Sequence, residues 1–99
     1  MQRRVVITGV GIYSCIGKNI NEVTNSLKEG KSGIGLDPLR KEMGYRSMLT
    51  GIIDIPNLKD VLSRRQRISL SEEAIYAYVS TKEALDNAGI DDVFLDNNI

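Results

Sequence analysis

The stretch RRVVITGVGIYSCIG, Arg3 to Gly17, decides how this chain folds. Val5, Val6 and Ile7 form an unbroken apolar, β-branched run, so Arg3 to Thr8 reads as a strand buried on both faces. Gly9, Gly11 and Gly17 then let the backbone turn tightly, and Asn19 to Glu29 reads as the following helix. Two enzyme classes open in this way. One lays a dinucleotide on the glycines. The other uses strand, turn and helix as scaffold and keeps its chemistry further along the chain.

Working outward, the first helix carries clear end signals. Asn19 is its N-cap, with Glu22 completing a capping-box pattern, and Ile20, Val23 and Leu27 sit at helical spacing. Gly30 is placed to end it in a left-handed conformation. Ser32, Gly33, Gly35 and Pro38 mark a loop. Leu39 to Met43 reads as one helical turn before Gly44, Met48 to Ile55 as a short strand stopped by Pro56, and Leu58 to Leu62 as a further helical piece. A second long helix starts at Ser69, with Glu72 three residues on and Ala74, Ile75, Tyr78, Val79, Leu85 and Ala88 in i, i+3, i+4 order. Gly89 stops it and Ile90 folds back on the last turn; Asp91 to Asn98 is polar. This inventory does not close. A strand covered on both faces needs neighbours, and doubly covered sheets usually hold about four to six strands. The chain therefore reads as an incomplete α/β sheet, the front of a larger domain.

Composition narrows the function. The 99 residues suit one domain at most. Thirteen basic and thirteen acidic residues cancel, so no global field draws nucleic acid or an anionic membrane. No apolar run reaches the roughly 18 residues of a membrane span, and the opening from Met1 is a poor secretory signal. The single cysteine, Cys15, has no partner for an internal disulfide, which suits a reducing cytoplasm. Histidine is absent, and it is the commonest general acid–base near neutral pH and a frequent metal ligand. Either the chain is not a catalyst or it is part of one.

The glycine turn fits the dinucleotide pattern poorly. Gly9-Val10-Gly11-Ile12-Tyr13-Ser14 puts Ser14 where a third glycine or alanine belongs. The helix cap comes later, at Asn19, and Glu29 stands at the ribose-binding distance without a strand around it. The short-chain dehydrogenase variant fails as well, with Tyr13 at its middle glycine. Gly30-Lys31-Ser32 looks like the end of a phosphate-binding loop, but Asn25 replaces the required glycine and the segment follows a helix. Cys15 reads as a packing thiol, since no histidine is present to activate it.

Four segments in order, RRVVITGVGIYSCIG, SLKEGKSGI (Ser26 to Ile34), YRSMLTG (Tyr45 to Gly51) and AIYAYVSTKEALDNAGI (Ala74 to Ile90), resemble the N-terminus of β-ketoacyl-(acyl carrier protein) synthases, the elongating condensing enzymes of type I and II. YRSMLTG leans toward type I. The resemblance implies the N-terminal portion of a thiolase-like α/β/α fold, here one or two short strands and two main helices, with residues 1–99 as one N-terminal fragment.

For the parent, the resemblance implies an acyltransferase of fatty acid synthesis, cytoplasmic and homodimeric, working by decarboxylative Claisen condensation. Its nucleophilic cysteine and two histidines match no residue here, Cys15 included, so no catalytic, cofactor-binding or metal-binding residue is expected. The partner implied is acyl carrier protein. Of the basic residues near the second helix, Arg64, Arg65 and Arg67, Arg65 matches the family's carrier-binding positions best, while Ile68 falls where another base is expected. Three arginines within four residues suit an acidic helix. The fragment alone is expected to be inactive and to self-associate through uncovered apolar faces. A non-catalytic, chain-length-factor-like subunit and a nucleotide-binding module are the alternatives.

Overall fold

The computed structural model describes residues 3–98. Met1 and Gln2, counted above in the opening, and Ile99 lie outside the described residues. The elements follow the order α1 (Ile20–Glu29), β1 (Ile34–Leu36), α2 (Pro38–Glu42), β2 (Leu49–Gly51), α3 (Arg64–Ile68), α4 (Glu72–Ala88) and α5 (Asp92–Asn98). Both helix and strand are present, in a mixed arrangement whose sheet is a small antiparallel pair. β1 and β2 pair antiparallel, Gly35 opposite Thr50, and no other strand is formed among the described residues.

Local chemistry sets the two principal helices. At α1, the Glu22 N–H donates to Asn19 Oδ1 and Asn19 Nδ2 donates to Glu22 Oε2, each at 2.9 Å. The Glu22 carboxylate thus closes onto the cap side chain, a variant of the capping box. Gly30 ends the helix at φ 68°, and Lys31 N–H donates back to Ser26 O at 2.8 Å. α4 ends alike: Gly89 takes φ 74° and Ile90 N–H donates to Leu85 O at 3.0 Å, the fold-back expected.

Several expectations need correction. Val5 to Ile7 is not a paired strand. Val5 is 98% exposed, Val6 71% and Ile7 86%, because no other strand runs beside them among the described residues to take their backbone groups. The loop read over Ser32 to Pro38 contains β1. It pairs because Ile52 N–H donates to Gly33 O at 2.9 Å and Asp37 N–H to Met48 O at 2.8 Å, which bracket the ladder. The strand expected over Met48 to Ile55 is paired only from Leu49 to Gly51, since β1 offers nothing beyond Gly33. Leu58 to Leu62 closes a single turn, with Leu62 N–H on Leu58 O at 2.9 Å. Ser69 does not start the long helix. It ends α3, a separate short helix started by a Ser63–Gln66 capping box, and Ser71 caps α4 through Ala74 N–H at 3.2 Å. The polar tail after Asp91 forms α5, whose first turn is held by Phe94 N–H on Asp91 Oδ1 at 2.8 Å.

The core is small. Val23 and Leu58 are the buried apolar residues, joined by Ser26, whose hydroxyl donates to Ile16 O. A folded monomer of this mass exposes about 5,600 Å²; this chain exposes 8475 Å². Its radius of gyration is 17.4 Å, against about 13 Å for a compact domain of about 100 residues. The chain has built its helices and their mutual supports, but much of the apolar surface that they would normally bury is open.

Candidate functional site

The glycine turn is seated on α4. A Cβ added at Gly11 would stand 1.8 Å from Ser80 O, and one at Gly9 would stand 2.3 Å from Ala84 O and 2.8 Å from Ala88 Cβ. Gly9 and Gly11 are two positions apart, on one face of the segment; Ser80, Ala84 and Ala88 are four apart, on one ridge of the helix. The backbone thus approaches the helix across a seam without side chains. This is what a scaffold needs, and it leaves that face of the turn no room for a pyrophosphate.

Polar clamps fix the seat. Glu83 accepts from Ile12 N–H through Oε1 at 2.8 Å and from Ile20 N–H through Oε2 at 3.0 Å. One carboxylate therefore ties the glycine turn to the first residue of α1, where its negative charge also suits the helix dipole. Val10 N–H donates to Asn87 Oδ1 at 3.2 Å. Tyr13 stacks on Tyr76, ring centroids 5.6 Å apart, and its hydroxyl donates to Asp54 O. Sequence reading missed Glu83 and this tyrosine pair. The only signal was the small-residue spacing of Ser80, Ala84 and Ala88 against Gly9 and Gly11.

Cys15 packs against the β-hairpin: a Cβ at Gly33 would lie 2.3 Å from Cys15 O, and one at Gly51 would lie 3.1 Å from its Sγ. The thiol borders a cavity of about 180 Å³ that also holds Lys18 and Lys31. Lys18 Nζ lies 3.7 Å from Asp54 Oδ2. Among the described residues no group of acidic, histidine or cysteine side chains is placed to hold a metal ion. Among the described residues no helix is long and apolar enough to cross a membrane.

The three arginines share α3 but not one environment. Arg64 and Arg65 are exposed, while Arg67 is half-buried. Among the described residues none of them pairs with a carboxylate. Arg67 borders a cleft of about 210 Å³ with Pro56, Leu58, Leu70 and Ile75, and its Nε is shut off from solvent with no acceptor. Ile68 stands 72% exposed beside them.

A glycine-bearing opening seated on a long helix, beside a small antiparallel hairpin, defines the class: a mixed segment of helix and strand. The family model described as Beta-ketoacyl synthase, N-terminal domain, matches residues 2–98, so the chain belongs to that family. It is 46% identical over 88 residues to 3-oxoacyl-[acyl-carrier-protein] synthase 1 of Haemophilus influenzae, covering 89% of this chain and 21% of that protein. The synthase 1 of Escherichia coli is 38% identical over 96 residues, 97% of this chain and 23% of that protein. The ketoacyl synthase alpha subunit of the tetracenomycin polyketide synthase from Streptomyces glaucescens is 31% identical over 90 residues, 91% of this chain and 21% of that protein. The chain thus spans between a fifth and a quarter of the length of these curated relatives. Neither the chain-length-factor-like subunit nor the nucleotide-binding module is favoured by these likenesses.

Proposed function

We propose that this chain is the opening segment of a 3-oxoacyl-(acyl carrier protein) synthase, a thiolase-like α/β/α enzyme of fatty acid synthesis in the cytoplasm, and that residues 1–99 belong to one domain of it. In the reaction proposed for the parent, a cysteine thioester holds the acyl chain. Malonyl-carrier protein loses carbon dioxide, and the carbanion left behind attacks the thioester carbonyl and expels the thiolate. The segment supplies neither the nucleophile nor the histidines; the sequence contains no histidine. Its work is architectural, presenting Val5 to Ile7 as a strand and holding α4 beneath it.

The observation that carries this reading is the seam of Gly9 and Gly11 on Ser80, Ala84 and Ala88, inside the span that the family model matches. The glycines serve helix packing and leave a two-faced apolar strand to be covered by the remainder of a larger sheet. In the parent, a homodimer on this reading, that surface is internal. In the 99-residue chain alone it is open and favours self-association. Arg64 and Arg65, exposed and without carboxylate partners among the described residues, are the proposed contact for the acidic carrier protein.

The test is a chimera of the Haemophilus influenzae synthase in which this chain replaces the matched segment. Condensation of acyl- and malonyl-carrier protein within about tenfold of the native rate supports the proposal. A folded chimera without condensation overturns it. The 99 residues alone are expected to give no acyl transfer above background.

A further inference from the structure

We infer that the α3 surface is an apolar anchor set in a cationic rim, so that its partner must place an aliphatic side chain among its carboxylates. This rests on the carrier-protein reading above and goes beyond it, because it assigns Ile68 and the cleft beside Arg67 a part in recognition.

The argument begins with helix geometry. At about 100° per residue, Ile68 falls about 40° from Arg64 and about 60° from Arg65, between the two, and Arg67 lies about 60° on the far side of Arg64. The arc thus runs Arg67, Arg64, Ile68, Arg65, exposed from Arg64 to Arg65 and half-buried at Arg67. Its apolar centre is 72% exposed. Its flanking cations, Arg64 and Arg65, have no carboxylate partner among the described residues. At the arc's inner edge, Arg67 meets the cleft of about 210 Å³ lined by Pro56, Leu58, Leu70 and Ile75, and its Nε lacks an acceptor. Docking energy concentrates where an apolar contact is ringed by polar groups that exclude water. Arginines in the rim steer an acidic partner and set its register. A partner bound by charge alone would gain nothing from Ile68. An acidic helix with one aliphatic residue among its carboxylates fits both features, the side chain lying over Ile68.

The experiment uses the chimeric synthase and its own acyl carrier protein, and compares KM for acyl-carrier protein with KM for the same acyl group on free pantetheine. Ile68→Ser is expected to raise the carrier KM by about fivefold to tenfold, with its salt dependence and the pantetheine KM unchanged. Arg64→Glu/Arg65→Glu is expected to raise the carrier KM at least as much and to remove the salt dependence. If the arginine variant acts and Ile68→Ser does not, the anchor is overturned while the carrier contact stands. If neither acts, the carrier reading falls and takes the anchor with it. Anisotropy of labelled carrier protein mixed with the folded chimeric synthase, wild type against Ile68→Ser, gives an independent reading, and equal affinities there also overturn the anchor.

Discussion

Gly11 has no room for a side chain, and the atom that excludes one is a backbone oxygen. Because Ser80 O is held in α4, Gly11→Ala must push the turn off the helix. We expect a cost of about 1–3 kcal/mol in the chimeric synthase, measured by chemical denaturation. Gly30→Ala is the matched control, with open space around its Cβ position and only a left-handed φ of 68° to resist it; about 1 kcal/mol is expected there. Glu83→Ala leaves the Ile12 and Ile20 N–H groups without their acceptor and should cost about 1–2 kcal/mol; Glu83→Gln, with one acceptor oxygen, should fall between. Tyr76 provides a pH test. Burial first, then the Glu72 carboxylate, hold its hydroxyl above the ordinary tyrosine range. The fold therefore favours the neutral phenol. That stabilisation is complete below about pH 10 and is lost as the pH rises through the folded value. Tyr76→Phe should move the alkaline unfolding midpoint upward, and the variant should lose the tyrosinate absorbance change that accompanies this late ionisation.

Among the elements, those whose ends are fixed by local chemistry were legible in the sequence. Asn19, Gly30 and Gly89 announce their roles within one turn of chain, and the structure uses them so. The start of the long helix was misplaced by two residues because Ser69, Ser71 and Glu72 offer competing caps; the Ser63–Gln66 box claims the preceding turn for α3 and leaves Ser71 to cap α4. Ser71→Ala should therefore cost about 1 kcal/mol and Ser69→Ala much less, a difference readable by thermal unfolding. β1 was missed for a different reason. Ile34-Gly35-Leu36 is too short and too glycine-rich to read as a strand, and it pairs only because the chain returns through Leu49–Gly51. The clamp of Glu83 was equally hidden, since its partners lie 71 and 63 residues away.

On the scale of the whole molecule, the open surface of the structure is what the proposed reading, a sheet completed elsewhere in a larger enzyme, leads one to expect. The chain exposes about 2,900 Å² more than a compact monomer of its mass, and the most exposed of its large apolar residues are Val5 and Ile7, in the run read as a doubly covered strand. On the proposed reading the covering layers belong to the rest of the enzyme, which is why the residues here do not reveal them. Hydrogen exchange at the Val5, Val6 and Ile7 amides, in the dilute 99-residue chain and in the chimeric synthase, tests this account most directly. It predicts exchange near the free-peptide rate in the chain alone and strong protection in the chimera. Protection in the isolated chain that does not change with concentration, or none in a folded chimera, would contradict it.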